Sequence, residues 1–299
     1  MTLTRLDQIK SSTVYRISTG FSYLDRAFGV TNIKGIDVFG MPRGRIVFAS
    51  GEPGVGKTRF GISVVKRINA LGGKVLVFQG EVRPTEFKQW TGTDVADETN
   101  FFVSDDTKIA KIIEYIKQEK PTLVVIDSAN MIEDYNKSSE VRKILDILKI
   151  TVAEVGCVCF MIGHLTKDGK MKGNSDVPHL VDVECSVVKL SKIANMAGLS
   201  FVEAMRNSST KTVFNKAVRC LIDSNPGMFR FNVGKNRYGP SGGWSAFRHT
   251  SSGIEFVDSP FGYNLPVVNN ILDNMTPKTE TDVVQTVGFW DKVNSWLSK

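Results

Sequence analysis

The eight residues Gly51-Glu52-Pro53-Gly54-Val55-Gly56-Lys57-Thr58 decide how the rest of this chain is read. They match the pattern G-x-x-x-x-G-K-[ST], whose glycines let the backbone curl until several N–H groups face one phosphate. The pattern is informative between a strand and a helix, because the helix N-terminus adds the positive end of its dipole to the anion site. Both flanks meet that condition: the apolar run 45–50 precedes the motif and a helical pattern follows Thr58. In this reading Lys57 holds the β and γ oxygens of a polyphosphate as a point charge, and Thr58 ligates Mg²⁺. The site is expected to be exposed and to carry no core packing.

Working outward, four more short β-rich runs occupy 74–79, 101–104, 122–126 and 157–162. They are continuous rather than alternating in polarity, as in strands covered on both faces. Between them lie helical patterns. Ile109, Ile112, Ile113 and Ile116 share one helical face, and Val141, Ile144, Leu145, Leu148, Val152 and Val155 form a second stripe. Strand and helix in this rhythm predict an α/β fold, a mainly parallel sheet with helices on both faces. The run 122–126 leads into Asp127, where a carboxylate can hold the Mg²⁺ water shell opposite Thr58. Glu81 follows the run 74–79 at the end of the strand where parallel sheets bind ligands, so it is the candidate base for activating water. Glu52 is inside the loop, with its side chain expected to point away from the phosphates.

Composition sets the outer limits. The 299 residues allow one large domain or two small ones, and 41% hydrophobic with 23% charged residues excludes a disordered or fibrous chain. Lys plus Arg number 38 against 31 acids, a net +7 that suits an anionic partner. No apolar stretch reaches the roughly 18 residues of a membrane-spanning helix, and residues 1–13 lack the apolar core of a signal peptide. Cys157, Cys159, Cys185 and Cys220 form no Cys-x-x-Cys pair, so neither a zinc knuckle nor a disulfide framework is expected. A reducing cytoplasm is the expected setting. The composition changes after Pro260 and residues 259–299 hold three lysines against four acids, which places a boundary near Asp258. The expected organisation is an N-terminal arm (1–15), a nucleotide-binding domain (16–258) and a C-terminal tail (259–299). In the tail, Val283, Val287, Trp290, Val293 and Leu297 follow helical spacing, with Thr281 as cap. That amphipathic helix is expected to dock on the core, on a neighbouring subunit or on a partner protein.

Four further segments carry a family resemblance. Ser18-Thr19-Gly20-Phe21-Ser22-Tyr23-Leu24-Asp25 resembles the "TG-x-x-x-LD" lead-in of RecA-superfamily ATPases, including the RadA/Sms and KaiC branches. Gly163-His164-Leu165-Thr166-Lys167-Asp168-Gly169 resembles the "GHVTKEG" segment of RadA/Sms, and Pro178-His179-Leu180-Val181-Asp182 its "LEHMVD" stretch. Lys235-Asn236-Arg237-Tyr238-Gly239-Pro240 is similar to its "KNRFGP" signature. The segments occur in the family's order over about residues 16–258. The four-cysteine zinc finger and Lon-protease-like domain of RadA/Sms find no counterpart, and about 191–226 is extra sequence containing the helix-like 193–207 and a basic stretch around Lys211 and Arg219.

The resemblance implies a RecA-like ATPase core using ATP and Mg²⁺. It assigns His164 as a polar sensor of the γ-phosphate, and Lys235 and Arg237 as cations inserted into a neighbouring subunit's site. As residues i and i+2 on a strand they point to one side, so both can face one triphosphate. The implied activity is that of a DNA motor or a recombination and repair ATPase. It would act on single-stranded or branched DNA as a homo-oligomeric ring at the nucleoid or a replication site, with helicase or branch-migration activity in view. Lys167, Lys170 and Lys172, in the Gly- and Lys-rich loop after His164, are the DNA-binding candidates. Two other functions share the core: a filament-forming strand-exchange recombinase and a KaiC-like ATP-switched scaffold.

Overall fold

The structure, a computed structural model, describes residues 13–92, 95–165, 177–189, 227–251 and 253–257. Outside them lie the first twelve residues of the expected arm, the loop lysines Lys167, Lys170 and Lys172, the insertion and the tail. In chain order the elements begin with β1 (Arg16–Ile17), α1 (Ser22–Phe28), the hairpin β2 (Val30–Ile33) and β3 (Ile36–Phe39), and β4 (Met41–Pro42). Next come β5 (Ile46–Gly51), α2 (Lys57–Ala70), β6 (Val75–Gln79), α3 (Pro84–Thr91), β7 (Phe101–Ser104) and α4 (Ile109–Glu119). Then follow β8 (Leu123–Asp127), α5 (Ser138–Val155), β9 (Val158–Ile162), α6 (Val177–Leu180) and β10 (Val183–Lys189). The last described elements are β11 (Met228–Asn236), β12 (Trp244–Thr250) and β13 (Gly253–Val257).

Among the described residues, nine strands form one sheet in the order β7-β6-β8-β9-β5-β10-β11-β12-β13. β5 to β10 are mutually parallel, and β11, β12 and β13 extend the sheet antiparallel. The expected α/β architecture with a mainly parallel sheet is therefore present, and it is RecA-like. Every residue of β5, β6, β8 and β9 is buried, which is why these strands read as unbroken apolar runs. β7, at the sheet's edge, is half-buried throughout.

Helices cover both faces. On one, Phe60, Val64, Val65 and Ile68 of α2 join Leu24 and Phe28 of α1 against the sheet. On the other, Ile112 and Ile116 of α4 pack with Val141, Leu145, Leu148 and Val152 of α5. The apolar stripes legible in the sequence thus face the core.

The run-based reading overlooked β1 to β4 and β10 to β13. Their burial is mixed, as in the alternating buried and half-buried positions of β10, so no continuous apolar run marks them. Their pairing is set by partners far along the chain. β1 with α1 is organised by two side chains. Asp25 accepts from the Thr19 N–H and hydroxyl, both at 2.7 Å, and from the Ser18 hydroxyl at 2.6 Å. Arg16 is buried and donates to the carbonyls of Phe28 (3.2 Å), Gly40 (2.9 Å) and Tyr238 (2.5 Å). The lead-in segment is thereby tied to the Lys235–Pro240 loop, two segments more than two hundred residues apart. Asn236 adds a second tie, donating to Phe28 O at 2.9 Å.

Candidate active site

The phosphate loop leaves β5 and enters α2 with Gly54 and Gly56 at φ +76° and +77°, a left-handed conformation that glycine adopts without a Cβ penalty. Lys57 lies inside the curl. Its ammonium donates to Gly51 O at 2.8 Å and Glu52 O at 2.9 Å. Against the expectation of an exposed site, Lys57 is only 5% exposed, because the loop closes around its side chain. Burial lowers its pKa, while the nearby charges of Asp127 and Glu81 pull it back up.

The other candidate groups reach this point through sheet register. Gln79 pairs with Asp127, Asp127 with Ile162, and Ile162 with Ala49, so four parallel strands end in one row. Two residues beyond that row lie Glu81 after β6 and His164 after β9, with His164 Nε2 3.5 Å from Glu81 Oε1. The Glu81 N–H donates to Gln79 Oε1 at 2.9 Å, which sets the exit path of the segment carrying the carboxylate. Gln79 is buried, and sequence reasoning did not single it out. Its signal, a polar residue closing an apolar strand beside the candidate base, was there to read.

Asp127 is buried and its pKa is raised to about 6. Desolvation is the main cause and the Glu81 charge adds to it, while hydrogen bonds from Thr58 and Gln79 and the Lys57 charge oppose it. One carboxylate oxygen, Oδ1, is buried with no hydrogen-bond partner among the described residues. An acceptor left unpartnered beside the Thr58 hydroxyl is what a hard, oxygen-seeking cation requires. The residues present therefore fit Mg²⁺ with a nucleoside triphosphate: the loop N–H groups and Lys57 for the phosphates, Thr58 and Asp127 for the metal shell. When bound, such an ion neutralises charge on the β and γ oxygens.

The sign of the Asp127 effect follows from its raised pKa. The folded state disfavours the ionised carboxyl, so a stability penalty develops as pH rises from about 4 to about 6 and is fully present above that. At neutral pH it amounts to roughly 3 kcal/mol. Asp127→Asn should therefore melt higher than the parent at pH 7 and equally at pH 4, while Mg²⁺-dependent turnover falls about 10–100-fold. Thermal melts at both pH values check the first statement; a variant less stable than the parent at pH 7 contradicts it.

Beside the loop a cleft of about 780 Å³ is lined by Gly56, Thr58, Arg59, Ser63, Trp90 and Gly253 among others. That volume is in the range of small-ligand pockets.

Lys235 and Arg237 are elsewhere. Gly51 pairs with Val187, whereas Lys235 pairs with Glu184, three residues down β10 toward the opposite end of the strands. At about 3.3 Å per residue that is roughly 10 Å away from the chain's own phosphate loop. Both cations do face one side, toward α6. Lys235 donates to the carbonyls of Pro178 (2.8 Å), His179 (3.1 Å) and Val181 (3.0 Å). Arg237 donates to His179 O at 3.1 Å and approaches Asp182 at 3.9 Å. The three hydrogens of Lys235 are thus engaged within the chain, while Arg237 remains 47% exposed in its side chain.

Comparison with known proteins agrees with this geometry. Residues 33–170 match the family model described as an AAA domain. The DNA repair protein RadA of Aquifex aeolicus is 24% identical over 254 residues, 83% of this chain and 48% of that protein. RadA of Mycolicibacterium smegmatis is 25% identical over 254 residues, covering 82% and 46%. RadA of Chlamydia trachomatis is 30% identical over 149 residues, covering 48% and 33%. The chain spans about half or less of the length of these relatives. Phosphate loop, strand order and these matches together support a RadA-like ATPase core of the RecA superfamily.

Proposed function

We propose that the chain hydrolyses ATP at the interfaces of a homo-oligomeric ring and couples hydrolysis to movement on single-stranded or branched DNA in recombination and repair. The position of Arg237 carries this reading. An exposed arginine at the end of the strands opposite its own phosphate loop is suited to a neighbour's nucleotide, which is how a ring or filament makes hydrolysis depend on assembly. Within one site, Glu81 orients and deprotonates the attacking water, and His164 beside it reads the γ-phosphate. Lys57 neutralises the β and γ oxygens. Lys235 has a second role, holding the α6 end in place through three carbonyls. The relatives' name, DNA repair protein RadA, together with the net charge of +7, supports DNA as the polyanionic partner.

The test is turnover with and without single-stranded DNA over a range of salt and protein concentrations. DNA should raise the rate, and specific activity should rise with protein concentration. Replacing Lys170 and Lys172 by alanine should weaken binding to all DNA sequences alike and flatten the log–log salt dependence by roughly one unit per lost contact. A DNA-indifferent rate would favour the ATP-switched scaffold. Electron microscopy separates the closed ring from the open filament of a strand-exchange recombinase.

A further inference from the structure

β12 lies beyond the strands that carry the chemistry, yet its end reaches the phosphate loop. Phe247 and His249, two residues apart, share one face of this strand. Phe247 packs on Phe60 of α2 with ring centroids 5.2 Å apart, and Phe60 stacks on Phe231 of β11 at 4.9 Å. This apolar contact seats the strand against α2 and brings His249 to the loop. His249 Nε2 lies 3.2 Å from Val55 O. A carbonyl only accepts, so Nε2 carries the hydrogen and donates. Nδ1 is then a bare acceptor, buried and without a hydrogen-bond partner among the described residues. Edge-on contacts with Phe229 at 4.8 Å and Phe247 at 5.5 Å hold the ring plane. The ring fills the space beside Gly56: a Cβ there would lie 2.1 Å from Nε2. The next residue, Thr250, accepts through its carbonyl from Arg59 in the first turn of α2, a second fastening of the same strand end.

We infer that His249 is a positioning residue of the phosphate loop. In a trans peptide the C=O and the following N–H point in opposite directions. Holding the Val55 carbonyl outward therefore aims the Gly56 N–H inward, at a bound phosphate. His249 acts through this one peptide plane. It belongs to no motif in the sequence, and its strand is separated from the loop by almost two hundred residues. The inference rests on residues 51–58 being a nucleotide-phosphate site.

The experiment measures Mg²⁺–ADP binding by calorimetry and ATP turnover for the parent, His249→Leu, His249→Asn and His249→Gln, with a thermal melt of each. Loss of the bond in His249→Leu should weaken ADP binding and raise the KM for ATP about tenfold, leaving kcat within about twofold. His249→Gln, whose amide N–H reaches as far as Nε2, should return both to within about twofold of the parent. His249→Asn is too short and should bind about tenfold more weakly, so the Gln and Asn pair carries the test if the leucine variant does not fold. Equal ADP affinity in parent, Leu and Asn variants overturns the inference, as does a Gln variant no better than Asn. A parent that binds no ADP overturns the nucleotide reading and this inference together; normal parent binding with indifferent variants overturns this inference alone.

Discussion

Replacing Arg237 by alanine should lower turnover about 10³–10⁵-fold, the range in which an arginine supplied to a phosphoryl-transfer site acts, and mixing with Lys57→Ala subunits should bring activity back. The reason is geometric. Arg237 follows β11 at the end of the strands opposite its own phosphate loop, which on the proposed reading places it to complete a neighbouring subunit's site. In a head-to-tail ring each interface joins one subunit's loop to the next subunit's arginine. An Arg237→Ala subunit keeps its loop and borrows the arginine of a Lys57→Ala neighbour. Random equal mixing makes about one interface in four fully competent. Neither variant alone has any such interface. The check is turnover of the mixture after co-assembly is shown with differently tagged subunits; co-assembly without recovered activity would mean that Arg237 acts in cis or not at all. Lys235→Ala should behave differently. Its ammonium is engaged by three carbonyls around the α6 end, so its loss should lower stability as well as turnover.

Lys57→Ala is the second large effect, a loss of at least about 10²–10³-fold in hydrolysis, on the scale of removing one charge-stabilising donor. Nucleotide binding should weaken with it. The fold should survive, though for a reason other than exposure. Lys57 is buried, and alanine removes one donor from Gly51 O, which still accepts from the Leu165 N–H, and one from Glu52 O, but it also removes an ammonium whose pKa is already lowered by burial. The two effects oppose each other, so the melting temperature should move by no more than a few degrees. Turnover equal to the parent's would sink the phosphate-loop assignment. Glu81→Gln separates the roles: it should bind ATP as the parent does and hydrolyse it poorly, because only the base is lost. Normal hydrolysis by that variant would pass the role to another residue.

These assignments differ in how readable they were before any coordinates. Residues 51–58 were legible because the motif is local: glycines at fixed spacing, a lysine and a hydroxyl, each needed within one turn of backbone. Asp127 and Glu81 were legible as residues closing apolar strands, but their proximity to Lys57 was not. It depends on β8 and β6 ending in the same row as β9 and β5. Arg16 carried no signal, and Asn236 stood in the Lys235–Pro240 signature with no role attached, since the carbonyls they bond belong to segments distant in the chain. His249 was invisible for the same reason.

By itself, the sequence determined the α/β class, the buried runs that became β5, β6, β8 and β9, and the helix faces of α4 and α5. Each of these is dictated by the chain's own neighbours: continuous apolar runs make doubly covered strands, and a 3.6-residue period makes one buried stripe. Only the tertiary structure decided the strand order, the antiparallel extension through β11, β12 and β13, and the meeting of Pro178–Asp182 with Lys235 and Arg237. It also decided that β9 lies between the strands bearing the phosphate loop and Asp127, and that His249 fills the space beside Gly56. Those outcomes depend on which distant segments share hydrogen bonds and apolar surface, and no local spacing encodes that choice.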